Sequence, residues 1–264
     1  MKELVIPDIH QRISVLERIL ERWEKEVDRV IFLGDYFDEK GAGFRDTDNA
    51  DTTISWLLDS LKQTNRIHLL GNHDLSYRWP NEYSCSGRQD STVHLVDSMF
   101  SEDEWGQFHY AISTQGWLVS HAGFHPSFLG SLSDNESLID QALTMATSLQ
   151  TSPDPEAELL QAGAARGGEL DFGGIVWLDW NYEFQPIEGI NQLVGHTFDP
   201  FQARCMKIND TGEVKRNDFS LDQIDGNASQ AFSDERRSTN WCIDCGLNVV
   251  TIIENGQLSL HEVG

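Results

Sequence analysis

Five short apolar runs, each ending in a polar group, set the rhythm of the chain: ELVIP from Glu3, DRVIFLGD from Asp28, NRIHLLGN from Asn65, GWLVSHAG from Gly116 and NQLVGHT from Asn191. Runs this short predict strands. Between the first three the period changes. Ile13, Leu16, Leu20 and Trp23 recur at three- and four-residue steps, as do Ile54, Leu57, Leu58 and Leu61. Both segments predict amphipathic helices, with Asp51 or Thr52 as the expected N-cap of the second. Strand–helix–strand–helix–strand predicts right-handed βαβ units, a parallel sheet and an α/β fold. NVVTIIENG and QLSLHEV meet at Asn255-Gly256, a hairpin signal. A helix is expected over ESLIDQALTMATSL, followed by a stretch rich in Pro, Gly and Ala. Residues 131–174 are thus expected to form a surface excursion from a single domain spanning 1–264.

Composition narrows the partners. The formal net charge of −24 argues against nucleic acid and anionic membrane, both of which need a basic face. No segment approaches the roughly 18 apolar residues of a membrane span, and MKELVIPDIH is too short for a secretory signal, so a cytoplasmic location is expected. Cys85, Cys205, Cys242 and Cys245 are expected to be reduced thiols. The CIDC pair has no second Cys pair to complete a zinc site and is read as two structural thiols.

The polar groups at the strand ends are Asp8 and His10, Asp35 and Asp38, Asn72 and His73, His121, and His196. Residues just past the carboxyl ends of strands gather along one sheet edge, so these are expected to be neighbours in space. Carboxylates, imidazoles and one amide oxygen suit Mn, Fe or Zn, whereas carboxylates alone would suit Mg or Ca better. Gly71-Asn72 taken alone is turn chemistry, and Asp74 is expected to support that turn locally.

In that order DIH, GDYFD, GNHD, SHAG and GHT resemble the signature blocks of the calcineurin-like metallophosphoesterases, and within them the Ser/Thr protein phosphatase and bacterial diadenosine tetraphosphatase branch. The resemblance implies a four-layer α-β-β-α sandwich with a dimetal site at the carboxyl ends of the strands. It implies that Asp8 and His10 bind one divalent ion (Mn, Fe or Zn), that Asp35 bridges, and that Asn72, His121 and His196 bind the second. His73 becomes the proton donor and Asp38 its partner. The implied reaction is hydrolysis of a phosphomonoester, on a phosphoprotein or a small molecule, by in-line attack of a metal-bridging hydroxide. A phosphoanhydride hydrolase acting on dinucleoside polyphosphates is the alternative, and a non-catalytic scaffold of the same fold a further one. One departure bears on substrate: the protein phosphatases carry arginines in DRG and RGNHE, where this chain reads DEKG and LLGNHD. Asn72, Arg78 and Arg88 are the expected substrate contacts, with Lys40 and Arg45 as further candidates and His125 as an outsider. Trp177, Trp180, Tyr182 and Phe184 are expected to be core, or else an aromatic wall.

Overall fold

The computed structural model describes residues 1–39, 49–129, 137–209, 211–221, 224 and 238–263; Lys40, Arg45 and the start of the 131–174 excursion lie outside them. Leu4 and Ile6 of β1 (Lys2–Ile6) pack in a helix-side cluster, while Val5 between them faces a second sheet. In β2 (Arg29–Phe32) Val30 and Phe32 join the helix-side cluster and Ile31 the inter-sheet one. A strand sandwiched in this way has no solvent face, which is why both read as continuous apolar runs.

Helices α1 (Ile13–Trp23) and α2 (Ala50–Leu61) are the crossovers from β1 to β2 and from β2 to β3 (Arg66–His68), and both strand pairings are parallel. The N-cap of α2 is Asn49, not Asp51 or Thr52: its side chain accepts from Thr52 N at 2.8 Å, where an amide oxygen satisfies a donor with no partner inside the helix. Antiparallel strands β10 (Val249–Glu254) and β11 (Gln257–Glu262) complete one sheet in the order β11-β10-β1-β2-β3. Asn255 and Gly256 join them at φ of 51° and 79°, the left-handed pair demanded by a tight hairpin.

The second sheet has the order β4-β5-β6-β9-β7-β8. Its strands are β4 (Ala111–Thr114), β5 (Trp117–Ser120), β6 (Asn191–Val194), β7 (Gln202–Ile208), β8 (Val214–Ser220) and β9 (Ser238–Cys242). Trp117, Val119, Leu193, Cys205 and Trp241 meet Val5, Ile31 and Leu33 to form the core between the sheets. On the outer face Leu118 shares a cluster with Ala142 and Ala146 of α6 (Leu138–Thr151), and Leu178, Trp180 and Phe184 pack with Val194, Met206 and Cys242. Three further helices, α3 (Asn72–Arg78), α4 (Asp90–Met99) and α5 (Glu102–Trp105), follow β3.

The architecture is an α/β sandwich of two mixed sheets flanked by helical layers, so the sheet expected to be parallel is mixed in both halves. Cys85 is half-buried, and Cys205, Cys242 and Cys245 are buried, all four as thiols. Among the described residues no helix is long and apolar enough to cross a membrane.

His68, at the end of β3, is 2 % exposed and lies between Tyr36 Oη at 3.2 Å and Ser60 Oγ at 3.0 Å. Burial, helped by the Arg66 charge, pushes its pKa down to about 3. The folded protein therefore keeps His68 neutral while the unfolded chain protonates it near 6.5, so its contribution is intact above that pH and lost as pH falls towards 3. Urea titrations in EDTA should show wild type losing up to about 1.4 kcal/mol more per pH unit than His68→Phe between pH 6 and 4.

Candidate metal centre

Both sheets feed one buried region. Asp8 follows β1, Asp35 follows β2, Asn72 opens α3 after β3, His121 follows β5 and His196 follows β6. These five, with His10, Asp38 and His73, are all buried. His10 N donates to Asp35 O at 2.7 Å, and Gly195 N to His121 O at 2.8 Å, joining neighbouring strand ends within each sheet. Between the sheets, His196 N donates to the Asp8 carboxylate at 3.1 and 3.2 Å, and His121 Nδ1 to Leu33 O at 2.8 Å. His10, Asp35 and His196 have φ of 45°, 55° and 65°, a left-handed backbone that side chains disfavour and that these bonds hold in place.

The segment after Gly71 is a helix rather than a turn, and Asp74 does more than support it locally. Its Oδ2 accepts from Gly71 N and Asp35 N, and its Oδ1 from Tyr36 N, each at 2.8 Å. The first of these bonds caps α3; the other two fasten the loop after β2. Burial and the Asp35 charge push the Asp74 carboxyl up, against the pull of the three N–H groups. Seven residues are too few for a helical apolar period to show, so only Gly-Asn was readable.

The donor atoms converge. Asn72 Oδ1, His121 Nε2 and His196 Nδ1 form a triangle with edges of 3.0, 3.2 and 2.9 Å. Asp35 Oδ2 lies 3.6 Å from His121 Nε2 and 3.5 Å from His10 Nε2, and His10 Nε2 lies 4.0 Å from Asp8 Oδ2. With its Nδ1 bonded to Leu33 O, His121 presents a bare Nε2 lone pair. His10 does the same: its Nδ1 faces Asp38 O at 3.2 Å, and its buried Nε2 has no hydrogen-bond partner. Lone pairs crowded in this way repel one another unless a cation lies among them. Edges near 3 Å are those subtended at right angles by ligand bonds of about 2.1 Å. The residues fit divalent ions.

Close packing at two glycines makes room. A Cβ on Gly71 would stand 2.1 Å from Asp35 Oδ1, and one on Gly195 would stand 2.2 Å from Asp8 Oδ1.

Beside this cluster His73 Nδ1 lies 2.8 and 2.9 Å from the two oxygens of Asp38, with 10 % of the His73 side chain reached by solvent. Burial alone would favour the neutral imidazole. The Asp35 charge and the Asp38 hydrogen bond outweigh it and raise the His73 pKa well above its ordinary value. Asp38 is lowered despite its burial, because His10 and His73 both bond it.

The other predicted residues lie elsewhere. Arg78, at the end of α3, stacks on Trp79 and Trp105 with its guanidinium 4.6 and 5.6 Å from the ring centroids, and approaches Glu102 at 3.4 Å. Arg88 donates to Pro80 O at 2.8 Å and Tyr83 O at 2.9 Å. His125 stacks on Phe172, with ring centroids 3.8 Å apart. Trp180 and Phe184 are buried together, Tyr182 is 85 % exposed, and the Trp177 ring lies 6.1 Å from that of His196. Sequence reasoning passed over Glu183, whose carboxylate accepts from Ala165 N, Gly173 N and Asp179 N at 2.8, 2.9 and 3.2 Å and folds that stretch onto the outer face. An acid set among the aromatics of WNYEF was the available signal.

A family model described as calcineurin-like phosphoesterase matches residues 1–198. No curated protein matches the chain. Similar solved structures include a metallophosphoesterase from Sphaerobacter thermophilus, 13 % identical, covering 100 % of this chain and 89 % of that one with a TM-score of 0.44. Yfce, a phosphoesterase from E. coli, is 12 % identical, with coverage of 100 % and 94 % and a TM-score of 0.43. A Saccharomyces cerevisiae serine/threonine phosphatase with similarity to human phosphatase PP5 is 11 % identical, with coverage of 99 % and 79 % and a TM-score of 0.47. Likenesses this remote carry no argument about substrate.

Asp74→Asn places an amide N–H2 where backbone donors converge and should destabilise the fold by roughly 3 kcal/mol in urea unfolding. Gly195→Ala should leave the far-UV circular dichroism intact while weakening Mn binding about 10- to 100-fold by calorimetry.

Proposed function

Because the chain belongs to the calcineurin-like phosphoesterase family, we propose that this site is a dimetal centre hydrolysing phosphomonoesters, on a phosphoprotein or a small molecule. Asp8 and His10 would hold one divalent ion and Asn72, His121 and His196 the other, with Asp35 beside both; Mn, Fe or Zn would suit this donor set. Bound there, the ions supply Lewis acidity and a water that ionises near neutral pH.

The protein's own groups orient and protonate. The Nδ1 bonds of His10 and His121 fix each ring so that Nε2 faces the centre. His73, gripped through Nδ1, is left with Nε2 on the far side of the ring to protonate the departing oxygen, and Asp38 favours the imidazolium that carries this proton. That paired contact at 2.8 and 2.9 Å is the observation that carries the reading. An alkoxide or phenoxide needs a proton as it leaves, whereas the phosphate leaving group of an anhydride has much less need of one. The pair thus supports a monoester over a dinucleoside polyphosphate.

Asp35→Asn should abolish turnover of 4-nitrophenyl phosphate in Mn, as should chelation; unchanged rates in either case would remove the metal reading. His73→Asn should lose about 100-fold or more on phenyl phosphate and far less on diadenosine tetraphosphate. Equal losses on the two substrates would remove His73 from leaving-group protonation.

A further inference from the structure

Asp38 makes bonds that the proposed reaction does not use, to the Tyr77 hydroxyl and to a thiol. The Cys85 thiol donates to Asp38 Oδ2 at 3.1 Å, the same oxygen that His73 Nδ1 approaches at 2.9 Å. The other oxygen, Oδ1, takes His73 Nδ1 at 2.8 Å and His10 Nδ1 at 3.3 Å. Two groups therefore draw on Oδ1, and Cys85 is the counterweight on Oδ2. Without it a buried oxygen loses a donor, and the balance of contacts on the carboxylate shifts towards His10.

The loop that carries Cys85 is built onto this spot. Cys85 Sγ lies 3.0 Å from Ser76 Oγ, which itself donates to His73 O at 2.7 Å, so the thiol touches both the Asp38 side chain and the helix that bears His73. A Cβ on Gly87 would stand 2.3 Å from Glu39 O, showing how closely the next turn packs on the chain just after Asp38. Arg88 closes the loop through the carbonyls of Pro80 and Tyr83. That use accounts for a cation the sequence had suggested for substrate.

We propose that Cys85 is a positioning residue: its S–H holds the Asp38 carboxylate in the rotation that grips His73 through both oxygens, and so aims the His73 Nε2 proton at the leaving group. This rests on the proposed role of His73. The thiol acts through its bond to Asp38, with Ser76 and His73 as its other neighbours. The consequence is selective. Loss of the S–H donor slows substrates whose leaving groups need a proton and spares those whose leaving groups do not.

The test compares kcat and KM on phenyl phosphate and 4-nitrophenyl phosphate for wild type, Cys85→Ala, Cys85→Val, Cys85→Ser and His73→Asn, all loaded with Mn. Cys85→Ala and Cys85→Val should lower kcat on phenyl phosphate about tenfold and change it little on 4-nitrophenyl phosphate, with KM unmoved on both. Cys85→Ser retains a donor and should restore both rates to within about twofold of wild type. Valine fills the thiol's place without an S–H, so a loss seen in alanine alone reports a cavity and overturns the proposal. Equal losses on both substrates in the Cys85 variants, with His73→Asn selective, also overturn it while leaving His73 as the acid. If His73→Asn itself shows no selectivity, the reading of His73 fails and the role of Cys85 fails with it.

Discussion

One buried carboxylate, that of Asp74, ties the loop after β2 to the start of α3, and the chemistry of the site depends on that tie. Three backbone N–H groups from two separate segments converge on it. Each of these N–H bonds contributes on the order of 1 kcal/mol, and together they help hold Asp35 in its left-handed backbone conformation. With Asp35 and Asn72 set against each other, His73 N reaches Asp35 Oδ1 at 3.0 Å and the reactive side chains fall into place around them. A helix cap and a strand-end clamp are here the same group.

Much of this was legible in the chain, and the limits have physical reasons. Strands buried on both faces announce themselves as short apolar runs, and α1 and α2 as apolar steps of three and four. The clustering of Asp8, Asp35, Asn72, His121 and His196 followed because each ends such a run. The second sheet was only partly visible. β8, VKRNDFS, is exposed over most of its length and carries no apolar run, and its place beside β7 is set by pairing that local sequence does not encode. Asn49 was missed as a cap because two other capping residues follow it closely. The reach of Asp74 is not visible in local sequence, since two of its three partners lie 38 and 39 residues away. Cys85 gave no signal, because a lone thiol has no pattern until its neighbours are known.

Charge distribution adds a tension that the proposed chemistry has to resolve. A chain of net charge −24 repels an anionic phosphate ester at long range, although salt screens that repulsion beyond about 8 Å. Inside the site Asp8, Asp35 and Asp38 add to it. Attraction then has to come from bound cations and oriented N–H groups, which makes the local sign of the centre a property of its loading rather than of its sequence. Among the described residues, the two arginines expected at substrate are engaged elsewhere: Arg78 against two indoles, and Arg88 in closing a loop.

The donor triangle has corners from both sheets: Asn72 follows β3, while His121 and His196 follow β5 and β6. The two sheets meet through apolar side chains, a contact that resists separation strongly and sideways shear weakly. Ions bound across that seam would act as rivets, locking the offset of one sheet against the other. Shear of a few ångströms that left every strand paired would still pull the triangle apart, so ion affinity becomes a gauge of sheet alignment finer than any measure of unfolding.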